Sequence, residues 1–369
     1  MHDRTHELHI RNREAEELSP LPLVFSAPEG LLMRRHLLAL QQLDAAEITR
    51  LLDLAQRVLD GPPRSEALRD HAIATLFYEP STRTEISFEL ASARLGATAV
   101  RCDVARSSIQ KGESLVDTVQ TLEALGAQAI VIRHPSAGAP HLASRWVRCA
   151  IINAGDGMHE HPTQGLLDLL TVRQHRGRIA GLNVAIVGDV LHSRVARSAV
   201  WGFTALGAHV TLVGPPTLLP AWPSADDRFP RAPQVTMTSS LAKGLEHADV
   251  VMVLRMQRER QQHGYVPSLG EYSGRYAITP SALATARPDV LLLHPGPMNL
   301  GVEVSADAAY GPQSGIHAQV TNGVAVRMAV LLWALGDADT PDRGTARRDA
   351  PNELPVRDHA VAEIVRTVG

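Results

Sequence analysis

Cysteine is scarce in this chain: Cys102 and Cys149 are the only two in 369 residues. That excludes a disulfide framework and a cysteine-rich zinc site, and it suits a reducing cytoplasm. Net charge is small as well, −3 at pH 7, which argues against nonspecific nucleic-acid binding as the main role. No uninterrupted apolar run approaches the length of a membrane span. Residues 1–20 are charged and lack the apolar core of a signal peptide. The glycine-rich dinucleotide turn is also missing. The apolar stretch 183–189 ends in Gly188-Asp189, and no second or third glycine follows. Pyrophosphate would have no bare backbone to approach, so a nucleotide-binding oxidoreductase is disfavoured.

What is present is ordinary globular material, 44% hydrophobic and 20% charged. From Arg34 onward short apolar runs alternate with amphipathic ones, the signature of an α/β chain with parallel sheets. Strands are expected at 72–78, 97–104, 129–133 and 149–154, then at 183–189, 209–213, 250–255 and 289–294. The fold class expected is α/β, with two doubly wound parallel-sheet domains joined by bridging helices. A flexible N-terminal extension (1–33) precedes a first domain at 34–165. A second domain spans 166–317, a helix at 318–336 packs back on the first, and 337–369 form a flexible tail. His2, His6 and His9 then belong to a solvated extension. A helix after residue 84 is expected from Ile86, Leu90 and Ala93, which repeat at helical spacing until Gly96.

Ligands of open parallel sheets bind beyond the carboxyl ends of the strands. After the first expected strand comes Ser81-Thr82-Arg83-Thr84, at a strand-to-helix turn. Helical N–H groups lacking partners, three hydroxyls and a guanidinium there make a cage for a phosphate. Ser-Thr alone would be an ordinary helix cap; Arg83 and Thr84 carry the distinction. Ser107 and Lys111 follow the second strand, Arg133 the third, and His161 and Gln164 the fourth. In the second half, Arg194 follows Gly188-Asp189, Arg255 and Gln257 follow the seventh strand, and Gly296 and Pro297 follow the last. Two guanidiniums from different strands suit a dicarboxylate. Glu79 stands out beside these cations, either as a solvated loop carboxylate or as a bridge to Arg194 or Arg260. His159-Glu160-His161 offers two imidazoles without a clear third ligand, so no metal is expected.

The motifs FYEPSTRT at Phe77, SSIQKGES at Ser107, IRHPS at Ile132, NAGDGMHEHPTQGLLDL at Asn153, VGD and SR from Val187, RMQRER at Arg255 and HPGPMNLGVE at His294 occur in one order. Together they resemble the aspartate/ornithine carbamoyltransferase family over residues 34–336. His294-Pro295-Gly296-Pro297 and Arg255-x-Gln257 resemble its aspartate branch. The resemblance implies that carbamoyl phosphate is held by Ser81, Thr82, Arg83 and Thr84 with Arg133. Thr84, Arg133 and His161 would donate to the carbamoyl oxygen. Gln164 and the carbonyls of Gly296 and Pro297 would hold the carbamoyl nitrogen. Arg194, Arg255 and Gln257, with Lys111, would bind aspartate.

The family resemblance also implies a cofactor-free cytoplasmic transferase of pyrimidine synthesis. It would act as a homotrimer in which Ser107 and Lys111 enter a neighbour's site. A dihydroorotase-like or regulatory partner chain is a further implication. Two positions depart from the family's pattern: Glu85 where Arg is frequent, and Leu300 where many relatives have Arg. They keep open a weakly active or structural subunit that needs a partner chain. A carbamoyltransferase for another amine is a further alternative, which Arg194 and Arg255 disfavour.

Overall fold

Parallel strands need long crossovers and bury both faces, so alternating apolar and amphipathic stretches place helices on both sides of a sheet. The computed structural model describes residues 35–61, 66–104, 108–222, 233–256, 265–266 and 268–336. The expected extensions, together with Ser107, Gln257 and Arg260, lie outside those residues. One all-parallel sheet contains β1 (Ala72–Phe77), β2 (Thr98–Cys102), β3 (Ala127–His134) and β4 (Ala150–Asp156), in the order β2-β1-β3-β4. The other contains β5 (Asn183–Val187), β6 (His209–Val213), β7 (Val235–Thr238), β8 (Val250–Val253) and β9 (Leu291–Leu293), in the order β7-β6-β5-β8-β9. The winding reverses between β1 and β3 and between β5 and β8, so each sheet has a switch point where a crevice opens. Strand β7 was not expected. It is a four-residue edge whose side chains are at best half-buried, so no apolar run announces it.

Helices α1 (Ala45–Asp60), α2 (Thr82–Arg94), α3 (Leu115–Ala124), α4 (Ala139–Ser144) and α5 (Pro162–Arg176) accompany the first sheet. Helices α6 (Arg194–Ala205), α7 (Leu241–Leu245), α8 (Leu269–Tyr276), α9 (Pro280–Leu283) and α10 (Ala306–Ala309) accompany the second. α11 (Ile316–Leu335) begins two residues before the expected 318 and packs against α1, α2 and α5. By length and mean hydropathy it could cross a membrane, although His317, Gln319, Asn322 and Arg327 interrupt its apolar run, and most of it is buried inside the protein.

α5 joins the halves. Leu166, Leu167, Leu169 and Leu170 are all buried, and a helix apolar on every side must lie between two layers. A Cβ at Gly165 would sit 2.6 Å from Leu40 Cδ1 and 3.1 Å from Ser198 Cβ. Glycine there lets α5 and α6 approach each other. One continuous core consequently runs from Ile48 and Leu52 through Leu166 and Leu170 to Val184 and Ile186.

The expected helix is present as α2, and the repeat that announced it is not its buried face. Phe88 and Ala91 point into the core, while Ile86 (47%), Leu90 (43%) and, on the edge strand β2, Val100 (44%) are exposed. Ala93 is exposed too. Both stripes have helical spacing, and only the sheet decides which one is covered.

Candidate active site

Ser81 is the N-cap of α2, and Thr82, Arg83 and Thr84 form its first turn. The Ser81 side chain makes no capping bond to the helix. The first-turn N–H groups and the positive helix end therefore face the crevice beyond β1, an arrangement suited to an anion. Thr84 is buried.

Arg83 reaches the other half of the molecule. A Cβ on Gly296 would lie 2.8 Å from Arg83 Cζ, so the guanidinium rests on the bare backbone of the loop after β9. Burial, and then the charge of Arg255, hold the Arg83 pKa below its ordinary value. Two cations, one from each sheet, thus share one space.

A second crossing lies at Glu79. Its Oε2 accepts from Arg194 Nη2 at 2.9 Å and lies 3.5 Å from Arg133 Nε. Arg194 opens α6 and is buried; its Nη1 donates to the Gly157 carbonyl at 3.3 Å. Arg133 Nη1 donates to the Ala154 carbonyl, also at 3.3 Å. Both guanidiniums pack on Gly155, where a Cβ would be 2.9 Å from Arg194 Nε and 3.3 Å from Arg133 Nη1. Gly155 also has φ +115°, a region L-residues rarely adopt. Of the two readings of Glu79, the bridge to Arg194 is the one observed. Arg133 was not foreseen as its second partner.

His161 is the buried N-cap of α5, and its backbone N–H donates to Ser198 Oγ at 2.9 Å. Ser198 donates in turn to Glu160 Oε2 at 2.8 Å, and Glu160 also accepts from the N–H groups of Leu40 and Gln41. Burial pushes the Glu160 carboxyl up, against those donors. Glu160 therefore clamps the 40–41 segment, α5 and α6 together.

His159 turns the opposite way, onto Asp156 at 3.1 Å, with the His141 ring near by. His141, Asp156 and His159 are the group among the described residues whose donor atoms could surround a cation. Of the two imidazoles weighed in the sequence only His159 belongs to this group, and His161 does not. The Asp156 oxygens, however, already accept from Asn153 Nδ2, Gly138 N–H and Glu160 N–H, which makes this carboxylate a clasp for its own loop.

Gln164 Nε2 donates to Asp168 Oδ1 at 2.9 Å. Gly296 N–H donates to His294 Nδ1 at 2.8 Å. Glu85, the unusual residue after the phosphate turn, is paired with Arg101 Nε at 2.7 Å. Lys111 is exposed at the end of the 108–111 turn. Among the described residues no hydrogen bond or ion pair joins it to the cluster. The structure thus brings Arg83 to Gly296 and Arg255, and Arg133 to Arg194 about Glu79, while His161 and Gln164 open α5. Sequence reasoning missed Glu160, Asp168 and Ser198. A charged residue inside the apolar run Gly165–Leu170 was the available signal for Asp168.

Residues 35–174 match the aspartate/ornithine carbamoyltransferase carbamoyl-P binding domain, and residues 180–334 match the Asp/Orn binding domain. The chain belongs to the aspartate/ornithine carbamoyltransferase family. Within this family it is 52% identical to an aspartate carbamoyltransferase catalytic subunit of Beijerinckia indica, over 80% of this chain and 93% of that one. It is 51% identical to the catalytic subunit of a Roseiflexus species, over 82% and 96%. Among solved carbamoyltransferases, aspartate transcarbamoylase of Trypanosoma cruzi in complex with N-(phosphonacetyl)-L-aspartic acid superposes with TM-score 0.74 at 30% identity, over 82% of this chain and 96% of that one. The ornithine carbamoyltransferase of Pyrococcus furiosus gives 0.73 at 26%, over 83% and 98%.

Proposed function

We propose that the chain is the catalytic chain of an aspartate carbamoyltransferase. The amine of L-aspartate attacks the carbamoyl carbon of carbamoyl phosphate, the C–O bond to phosphate breaks, and N-carbamoyl-L-aspartate and phosphate leave. This is an early step of pyrimidine synthesis. One observation carries the reading: cations of the two halves come together at two crossings, Arg83 with Arg255 beside Gly296, and Arg133 with Arg194 about Glu79. Two anionic substrates repel each other strongly, and such a cluster offsets that repulsion.

The phosphate sits on Ser81, Thr82, Arg83 and Thr84 at the α2 start. As the amine adds, the carbamoyl oxygen gains charge, and Thr84, Arg133 and His161 donate to it. Gln164 and the Gly296 and Pro297 carbonyls accept from the carbamoyl nitrogen. Arg194 and Arg255, with Gln257, take the carboxylates of aspartate. The same cations repel the side-chain ammonium of ornithine, which separates the two amines. The Arg101 partner of Glu85 supports full activity over a structural role.

The reading extends to a homotrimer with shared sites. The exposed stripe Ile86, Leu90 and Val100 beside the turn bearing Lys111 supports it. Two impaired variants, Lys111→Ala and His161→Ala, are therefore expected to regain activity when mixed and reassembled. Failure to regain any, with trimers formed, would place both residues in one subunit's site. The cytoplasmic setting fits two free thiols, Cys102 and Cys149. A dihydroorotase-like or regulatory partner belongs to the same reading and is tested by sizing the chain with and without it.

A further inference from the structure

Asp168 lies on α5, one turn beyond Gln164, and is completely buried. Its Oδ1 accepts from Gln164 Nε2 at 2.9 Å and from Gln319 Nε2 of α11 at 2.7 Å. Gln319 Oε1 in turn accepts from the His294 N–H at 2.9 Å. The Nδ1 of His294 accepts from the Gly296 N–H at 2.8 Å. A ring that accepts at Nδ1 carries its proton on Nε2 when neutral, and Nε2 lies 3.3 Å from Glu303 Oε1. Glu303 also accepts from the Asn299 N–H at 2.6 Å. One hydrogen-bonded chain runs from Gln164 to the loop at Gly296, and its linking side chains, Asp168, Gln319 and His294, are at most 3% exposed.

We propose that Asp168 is a positioning residue for carbamoyl transfer. It fixes which way the Gln164 amide faces and ties that amide, through Gln319 and His294, to the Gly296–Pro297 carbonyls. The proposal rests on the reading that Gln164 and those carbonyls hold the carbamoyl nitrogen. That nitrogen is a donor and needs acceptors. A carboxylate oxygen already accepting two N–H groups turns the Gln164 NH2 toward itself and leaves Oε1 as the acceptor for the substrate. Without Asp168 the amide is free to turn over and present a donor to a donor. Burial pushes its carboxyl up to about 7 despite its two amide donors and the nearby Arg327, and a buried carboxylate is costly where an apolar side chain would pack.

The test is steady-state transfer by Asp168→Leu, Asp168→Asn, Gln164→Ala and the Asp168→Leu/Gln164→Ala double variant, with folding checked by thermal unfolding. Asp168→Leu lowers kcat about 10- to 100-fold, the range for a misplaced binding group, and shifts the KM for aspartate little. Asp168→Asn keeps an oxygen acceptor and recovers most of that loss. The double variant is no slower than Gln164→Ala, because both act through one amide. Wild-type kcat in Asp168→Leu beside an impaired Gln164→Ala overturns the proposal alone, as does a double variant whose losses multiply. Wild-type turnover in Gln164→Ala overturns the reading of the site, and the proposal with it. Should Asp168→Leu not fold, Gln319→Met breaks the same chain in the same cycle, with the same pattern expected.

Discussion

Glu79 and Arg194 join the two halves of the molecule through a 2.9 Å hydrogen bond, and the same Glu79 oxygen lies 3.5 Å from Arg133. A single carboxylate thus separates two guanidiniums that would otherwise face each other over Gly155. Glu79→Gln keeps the shape and removes the charge. A hydrogen bond to a charged group is worth about 1.5–3 kcal/mol, so the KM for aspartate is expected to rise roughly tenfold or more in a protein that still folds. Steady-state kinetics at varied aspartate check this, and unchanged constants would contradict the bridging role.

His161→Ala should cost about 10²–10³ in kcat, the typical loss of one oxyanion donor. The fold is expected to survive, because His161 meets Ser198 through its backbone N–H, which alanine retains. Near wild-type turnover in a folded variant would remove His161 from the reaction.

The alternation of apolar runs made the two-sheet architecture readable, and β6 falls on the expected 209–213. Parallel topology then pointed to the strand-end loops as the candidate site, since those following the carboxyl ends of a parallel sheet open on one edge. The parts that escaped have physical causes. The edge strand β7 covers nothing and so has no apolar signature. On α2, Ile86 and Leu90 share helical spacing with each other just as Phe88 and Ala91 do with their own face, and sequence alone does not say which face meets the sheet. The contact between Asp168 and Gln319 spans 151 positions, a distance no local pattern encodes. Glu79 was visible as a misplaced charge, but its two partners come from β3 and α6.

Gly155→Ala should damage both stability and activity. The new Cβ meets Arg194 and Arg133, and φ is +115°. Overpacking and strain of this kind cost about 1–3 kcal/mol, and displaced guanidiniums are expected to lower kcat/KM more than tenfold. Gly181→Ala is the control: φ is +75° there, but nothing lies within 4 Å, so only stability should fall. Thermal unfolding and kinetics on both variants decide, and equal kinetics in the two would refute the packing argument.

The Asp156–His159 pair gives a pH dependence with a definite sign. The hydrogen bond to Asp156 raises the His159 pKa against burial. Burial would push Asp156 up, but bonds from His159, Asn153 and Gly138 bring it below the ordinary value. The histidine's contribution is complete below its unfolded pKa of about 6.5 and is lost as pH rises through the folded value. The carboxylate's contribution is present above about 3.9 and is lost as pH falls through its depressed folded value. His159→Gln should therefore lower Tm most near pH 5–6, by the equivalent of about 1 kcal/mol, and less at pH 8. A deficit that grows toward pH 8 would contradict the pairing.

The central claim is tested most directly by following N-carbamoyl-aspartate formation by the purified chain from carbamoyl phosphate, with aspartate, ornithine or buffer as the acceptor. Turnover that depends on aspartate and is absent with ornithine is the predicted result. No turnover by a folded protein of trimer size, or turnover with ornithine instead, would contradict it.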